Sequence, residues 1–133
     1  EAIKANPAIA NLTKELRIEK GKQVFMQTCF VCHQVDGKGI PNQIPPLASS
    51  DFLMADAEPA IRIVLQGRSG EVTVNGKNYN GTMLPLNNLS DDEIANVLTY
   101  VRNSWGNSGD AINTELVRRA RSEAPAPAAN PYE

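Results

Sequence analysis

Aromatic side chains are scarce in this chain: 5% of 133 residues, with one Trp, three Tyr and three Phe. At that length there is room for one domain and one modest core. A core built from its own side chains alone would be lean, because aromatic residues carry the largest apolar area each. Cysteine stops at Cys29 and Cys32, and histidine at His33. With no third Cys and no second His, a four-ligand zinc site has too few ligands. Basic residues are neither abundant nor clustered, and the net charge is −2 with a pI near 5.4. That excludes the electrostatic footprint of a nucleic-acid binder. No apolar run approaches membrane-spanning length. The sequence starts at Glu1 with no signal-like apolar segment, and so reads as a mature chain or an excised fragment.

Against those absences stands one dense stretch, Cys29-Phe30-Val31-Cys32-His33. A Cys-x-x-Cys pair can be half of a zinc site or a thioredoxin-like redox pair. The first lacks ligands, and the second expects a βαβ context that is missing here. Two cysteines at this spacing with His directly after the second read instead as a c-type haem attachment site. Each thiol adds across a porphyrin vinyl group to form a thioether, and the next residue then lies under the iron as its proximal ligand. A covalently held porphyrin would also supply the apolar volume that the composition lacks.

The remaining segments are read in order around that site. Residues 1–13 mix Ala, Asn and Pro and read as a linker or lead-in. Thr13 is placed to cap a helix running to about Cys29, with Ile18, Gly21, Phe25 and Cys29 on one face. Gly inside a helix costs about 1 kcal/mol against Ala, so Gly21 implies either a close helix crossing or an early break. Asp36-Gly37-Lys38-Gly39 is a turn, and Pro41, Pro45 and Pro46 make the following stretch an irregular loop. Such a loop can hold a carbonyl against the free Nδ1–H of an axial histidine. Ser49 to Met54 suits a short helix. Asp56 caps a longer one that carries Ile61, Val64 and Leu65 and ends at Gly67. Asn75-Gly76, between Glu71–Val74 and Lys77–Tyr79, predicts a hairpin. Ser90 with Glu93 is a capping box, opening a helix with Ile94, Val97, Leu98 and Val101 on one stripe and an end near Trp105-Gly106. A further short helix is expected over 114–122, its arginines Arg118, Arg119 and Arg121 serving the helix C-terminus. Residues 124–133 form an Ala/Pro-rich tail.

Three methionines compete for the far side of the iron. Met26 lies too close to Cys29 on the same helix to swing across the porphyrin, and Met54 reads as core filler. Met83 falls in a Gly- and Pro-bounded loop after the hairpin and can deliver a thioether sulfur; the alternative is an ordinary core methionine. His/Met ligation would fill both axial sites and suit electron transfer rather than catalysis. Arg68 can reach a haem propionate or remain solvated, and Tyr79 is either a cover for the hairpin or a haem neighbour. Trp105 can donate its indole N–H to a propionate or simply pack.

Over residues 14–106 these features resemble a class I (mitochondrial-type) cytochrome c. The similar features are Gly21 and Phe25 on the first helix, the CFVCH motif, the Pro-Pro-Leu loop, a late Met and a last helix with Val97 and Tyr100. The resemblance implies an all-α fold around one haem c attached through Cys29 and Cys32, with a small hairpin before the Met83 loop and a C-terminal extension over 107–123. It implies that the first helix crosses the last at Gly21, Phe25, Val97 and Tyr100. Pro45 becomes the residue whose carbonyl accepts from His33. One departure is Leu84, which stands between Met83 and Pro85 where the family often has Pro directly after the Met. The runs GKQVFMQTCFVCHQVDGKGIPNQIPPLASSDFL, NGKNYNGTMLPL and LSDDEIANVLTYVRNSWGN further resemble the haem c domain tethered to some copper nitrite reductases. That implies an electron relay to a type 1 copper, in a transient or tethered complex with a redox partner. It also implies the periplasm, because haem is attached outside the cytoplasmic membrane. The alternative is a five-coordinate haem c domain with peroxidase or gas-binding activity.

Overall fold

A computed structural model of the chain describes residues 13–123, so the expected tail and all but the last residue of the expected lead-in lie outside the described residues. The order of elements is α1 (Lys14–Val24), one widened helical turn (Phe25–Cys29), α2 (Phe30–His33), α3 (Asp51–Met54), α4 (Ala57–Gln66), β1 (Arg68–Val74), β2 (Lys77–Met83), α5 (Asp91–Val101) and α6 (Thr114–Glu123). Local signals account for most of the boundaries. The Thr13 hydroxyl accepts the Leu16 N–H at 3.2 Å. In the capping box the Glu93 N–H reaches the Ser90 hydroxyl at 3.0 Å, and the Ser90 N–H reaches the Glu93 carboxylate at 2.8 Å. Asp56 occupies its cap position without a side-chain hydrogen bond, and Gly67 ends α4 at φ 75°.

The centre of the molecule is the crossing of α1 over α5. A Cβ on Gly21 would overlap the Asn96 carbonyl and sit 2.8 Å from Tyr100 Cβ, so the two backbones meet where only glycine fits. Beside the crossing Phe25, Tyr100 and Trp105 form an aromatic trio with centroids 5.4, 5.3 and 5.7 Å apart. The face of α1 differs from the expected one in a single respect. Arg17 is buried, at 1% exposure, while Ile18 is only half-buried.

That buried arginine is explained by the C-terminal segment. Arg17 donates to Asn96 Oδ1 at 2.7 Å and to Thr114 Oγ1 at 3.2 Å, and Thr114 in turn donates to Asp92 at 2.5 Å. A charge can be buried when its donors are hydrogen-bonded, and here one guanidinium joins α1, α5 and α6. Accordingly α5 is buried beyond its predicted stripe, at Ala95, Asn96 and Thr99 as well as Ile94, Val97, Leu98 and Val101. Ile112, Val117 and Ala120 lie in the same apolar cluster. Arg121 fastens α6 to the start of α5 through Asp91 at 2.8 Å and the carbonyls of Asn87 and Leu89. Arg118 and Arg119 pair with Glu115 on their own helix.

The hairpin turns through Asn75 and Gly76 at φ 53° and 79°, the left-handed pair that a two-residue hairpin turn requires. Its ladder is longer than the residue alternation suggests, pairing Arg68 with Met83 as well as Val74 with Lys77. Met83 is therefore the last residue of β2, and not part of a loop beyond the hairpin. The ladder runs on through the facing pair Gly70 and Gly81, and the Asn80 N–H donates to the Asn42 carbonyl at 2.9 Å. That bond docks β2 against the proline loop.

Candidate haem-binding site

The widened turn before the cysteines sets the site's geometry. The Phe30 N–H reaches back to the Phe25 carbonyl, one residue farther than in an α-helix, and such a turn re-aims the residues that follow it. Cys29 is half-buried and Cys32 exposed, on one short helical turn ending at His33. Burial, and secondarily the neighbouring Cys32, push the Cys29 thiol up to about 11.

His33 is half-buried and its pKa is lowered by burial, which keeps the ring neutral, the form that binds metals. Its Nδ1 is sealed and has no hydrogen-bond partner. The expected bond to the Pro45 carbonyl is thus not formed in this structure. The Pro45 oxygen instead turns toward Gly39, where a Cβ would meet it at 2.8 Å, and the Gly39 N–H is bonded to the His33 carbonyl at 3.1 Å.

Met83 is half-buried and packs against the central apolar cluster, as do Cys29, Phe30, Leu47 and Leu86. It is held from both sides. Arg68 pairs with it across the hairpin, and the Leu86 N–H bonds the Val64 carbonyl at 2.7 Å. Gly67 lies so close that a Cβ there would meet the Met83 carbonyl at 2.5 Å. Of the other methionines, Met26 is exposed and Met54 packs at the cluster's edge.

The other expected haem contacts are placed as follows. The Trp105 indole N–H donates to the Val35 carbonyl at 2.9 Å. In this structure the indole is thus joined to the backbone after the motif and its ring packs on Phe25 and Tyr100, in line with the packing alternative. Arg68 is exposed, donates to the Glu71 carbonyl at 3.1 Å, and borders a shallow cavity of about 250 Å³ with Phe52, Pro59, Arg62 and Ile63. Tyr79 is buried opposite Val72 and outside the central cluster. Sequence reasoning missed Arg102, which is buried and donates to the Leu53 carbonyl at 2.7 Å. It also missed Asn107, whose side chain binds Val101, Leu47 and Ser49. The Asn in the run SWGN was the available signal, since Asn just past a helix is a frequent backbone binder.

A family model for cytochrome c matches residues 18–105. The chain belongs to the cytochrome c family. It is 38% identical over 92 residues to cytochrome c-552 of Thermus thermophilus, covering 66% of this chain and 70% of that protein. It is 30% identical over 90 residues to the cytochrome c subunit of a quinone alcohol dehydrogenase from Gluconobacter oxydans, covering 66% of this chain and 19% of the subunit. Against the cytochrome c subunit of gluconate 2-dehydrogenase from Pantoea cypripedii it is 28% identical over 102 residues, with 72% and 22% covered. The chain thus spans most of the first and about a fifth of the two dehydrogenase subunits.

The residues of this cytochrome fit the haem c that its family carries. Two thiols that are not joined to each other stand one turn apart beside a neutral imidazole. The sealed Nδ1 leaves the ring's other nitrogen to face a metal. Half-buried Phe30, Leu47 and Leu86 offer the apolar surface that a porphyrin would cover. Bound there through Cys29 and Cys32, the haem supplies an iron that gains and loses one electron. The protein is an electron-transfer protein or domain, and not itself a catalyst. Among the described residues no helix is long and apolar enough to cross a membrane.

Proposed function

We propose that this cytochrome holds its iron between His33 and Met83 and passes single electrons between redox proteins in the periplasm. The observation that carries the reading is the setting of Met83, which packs against the same apolar cluster as Cys29 of the attachment motif. His33 has one ring nitrogen sealed, and Met83 is anchored on both sides against the same cluster as Cys29 and Phe30. A thioether opposite an imidazole leaves no position for substrate and favours the ferrous state. Met83 needs no mobile loop, since β2 itself delivers it. Arg68 and Tyr79 stand on the same hairpin and complete the haem surroundings from that side.

The partner is a redox enzyme. Relatives that are subunits of dehydrogenases support a fixed place in a larger assembly, and the resemblance to nitrite-reductase haem domains supports a type 1 copper as acceptor in denitrification. One electron from the donor would then reduce Cu(II) to Cu(I).

Visible spectra of the oxidised and reduced protein, with carbon monoxide added to the reduced form, test the ligation. Sharp low-spin bands unmoved by carbon monoxide are expected. A high-spin spectrum that shifts with carbon monoxide would replace this reading with a five-coordinate, peroxidase or gas-binding site. Mixing the reduced protein with a copper nitrite reductase core and following haem oxidation tests the partner. No oxidation faster than with free cupric ion removes that acceptor.

A further inference from the structure

Between Met83 and Asp91 the chain has neither helix nor strand, yet this segment follows directly on the methionine of the site. A segment without regular structure keeps one conformation only if its neighbours satisfy its backbone. One neighbour is α4. The Leu86 N–H bonds the Val64 carbonyl at 2.7 Å, and Gly67 lies where a Cβ would meet the Met83 carbonyl at 2.5 Å and the Pro85 nitrogen at 2.8 Å. Past Leu86 the segment bends back on itself, with the Leu89 N–H on the Leu86 carbonyl at 3.1 Å.

The second neighbour is α6, which lies beyond the residues that the cytochrome c family model matches. Val117 and Ala120 sink its inner face into the central cluster, and its first residue, Thr114, is bonded to Arg17. Fixed in this way, α6 presents Arg121 to the segment. One guanidinium donates to the Asn87 carbonyl at 3.0 Å, the Leu89 carbonyl at 2.7 Å and the Asp91 carboxylate at 2.8 Å. The planar fork allows such a three-point grip, because its donors are rigidly spaced. Arg118 and Arg119 pair with Glu115 on their own helix, so the grip belongs to Arg121 by position rather than by charge.

We propose that Arg121 is a positioning residue for the axial methionine: from α6 it holds residues 87–91, and together with α4 it keeps Met83 in place as a ligand. This rests on Met83 being the iron's ligand. Groups that fix the chain behind a ligand tune its bond to the metal although they do not touch the metal themselves. Without the grip, the far end of the segment is free, and local opening lets Met83 leave for a larger fraction of the time. The C-terminal extension then does more than cover apolar surface: it sets how rarely the far side of the iron opens.

The test uses the haem-loaded ferric protein with Arg121→Ala, Arg121→Lys and, as a control, Thr13→Ala, which weakens a distant helix cap. Added imidazole can bind the iron only where the thioether has left it, so its apparent affinity, read from the visible spectrum, reports the open fraction. Melting temperature is measured alongside. Arg121→Ala should bind imidazole about fivefold more tightly or more, the worth of a charged hydrogen bond discounted for its part exposure. Arg121→Lys keeps a charge for Asp91 but has no fork, and should show most of that gain. A parent affinity in Arg121→Lys would overturn the grip on the carbonyls and leave an ordinary ion pair. Thr13→Ala should melt earlier at the parent affinity; equal tightening there would reduce the effect to overall stability. Arg121 variants that melt earlier yet keep the parent affinity would make Arg121 a fastener of α6 alone. A high-spin parent protein that binds carbon monoxide when reduced would overturn the Met83 reading, and this proposal with it. A low-spin parent with unmoved Arg121 variants would overturn this proposal by itself.

Discussion

Gly21→Ala probes the α1–α5 crossing with one added methyl group. In an unobstructed helix the change would stabilise by about 1 kcal/mol. Here the new Cβ falls on the Asn96 carbonyl, with Tyr100 Cβ at 2.8 Å, and both belong to a packed helix that cannot yield locally. Forcing the helices apart costs about 1–3 kcal/mol as overpacking. It also strains the 2.7 Å bond from Arg17 to the Asn96 side chain, a buried charged hydrogen bond worth about 1.5–3 kcal/mol. After the propensity gain, a net loss of about 3 kcal/mol is expected, which lowers the melting temperature by more than about 10 °C in a domain of this size. Thermal unfolding of the haem-loaded protein, followed by far-ultraviolet circular dichroism, reads it directly. A melting temperature equal to or above that of the parent would mean that the helices do not meet at Gly21.

Three further substitutions test separate parts of the argument. Met83→Ala should open the far side of the iron, create affinity for carbon monoxide and lower the reduction potential; an unchanged potential with no carbon monoxide binding would remove Met83 from the site. Arg17→Met should cost about 2–4 kcal/mol in urea unfolding, because it leaves the buried Asn96 oxygen without its donor; a loss below the error of the measurement would mean that Arg17 packs without bonding. Ser90→Ala should cost about 1 kcal/mol through the lost cap, and equal stability would deny the capping box its role.

Much of the fold can be read from short-range chemistry. Thr13, the Ser90/Glu93 pair and Asn75-Gly76 announce their elements because the interactions that make them lie within a few residues. Gly21 is legible in a different way: its cost in a helix points to a neighbour, though not to which one. What escaped depends on long-range partners. Arg17 and Arg102 would be assigned to the surface on composition alone. Both are buried because the segment after Trp105 folds back over α5 and brings Thr114 and Gly109 to them. Within the site, the attachment motif is legible because its two thiols and the histidine are contiguous in the chain. The end of β2 at Met83 and the destination of the Trp105 N–H do not show, because each is decided by a pairing partner far along the chain. The widened turn at Phe25–Cys29 has no sequence signal that we can identify.

The Arg17–Asn96–Thr114 junction also bears on timing. Its bonds span 79 and 97 positions of the chain, and contacts of that separation close late, after the intervening chain has been gathered. Until residues 91–114 are present, α1 has no crossing partner, and the turn that carries Cys29 and Cys32 stays open and reachable. Cys32 is exposed in the finished fold and Cys29 half-buried, so late closure of the junction would leave Cys29 more open to a porphyrin during folding than afterwards. A substitution that speeds docking of α1 would shorten that interval, and would lower the yield of haem-loaded protein while leaving the finished molecule unchanged.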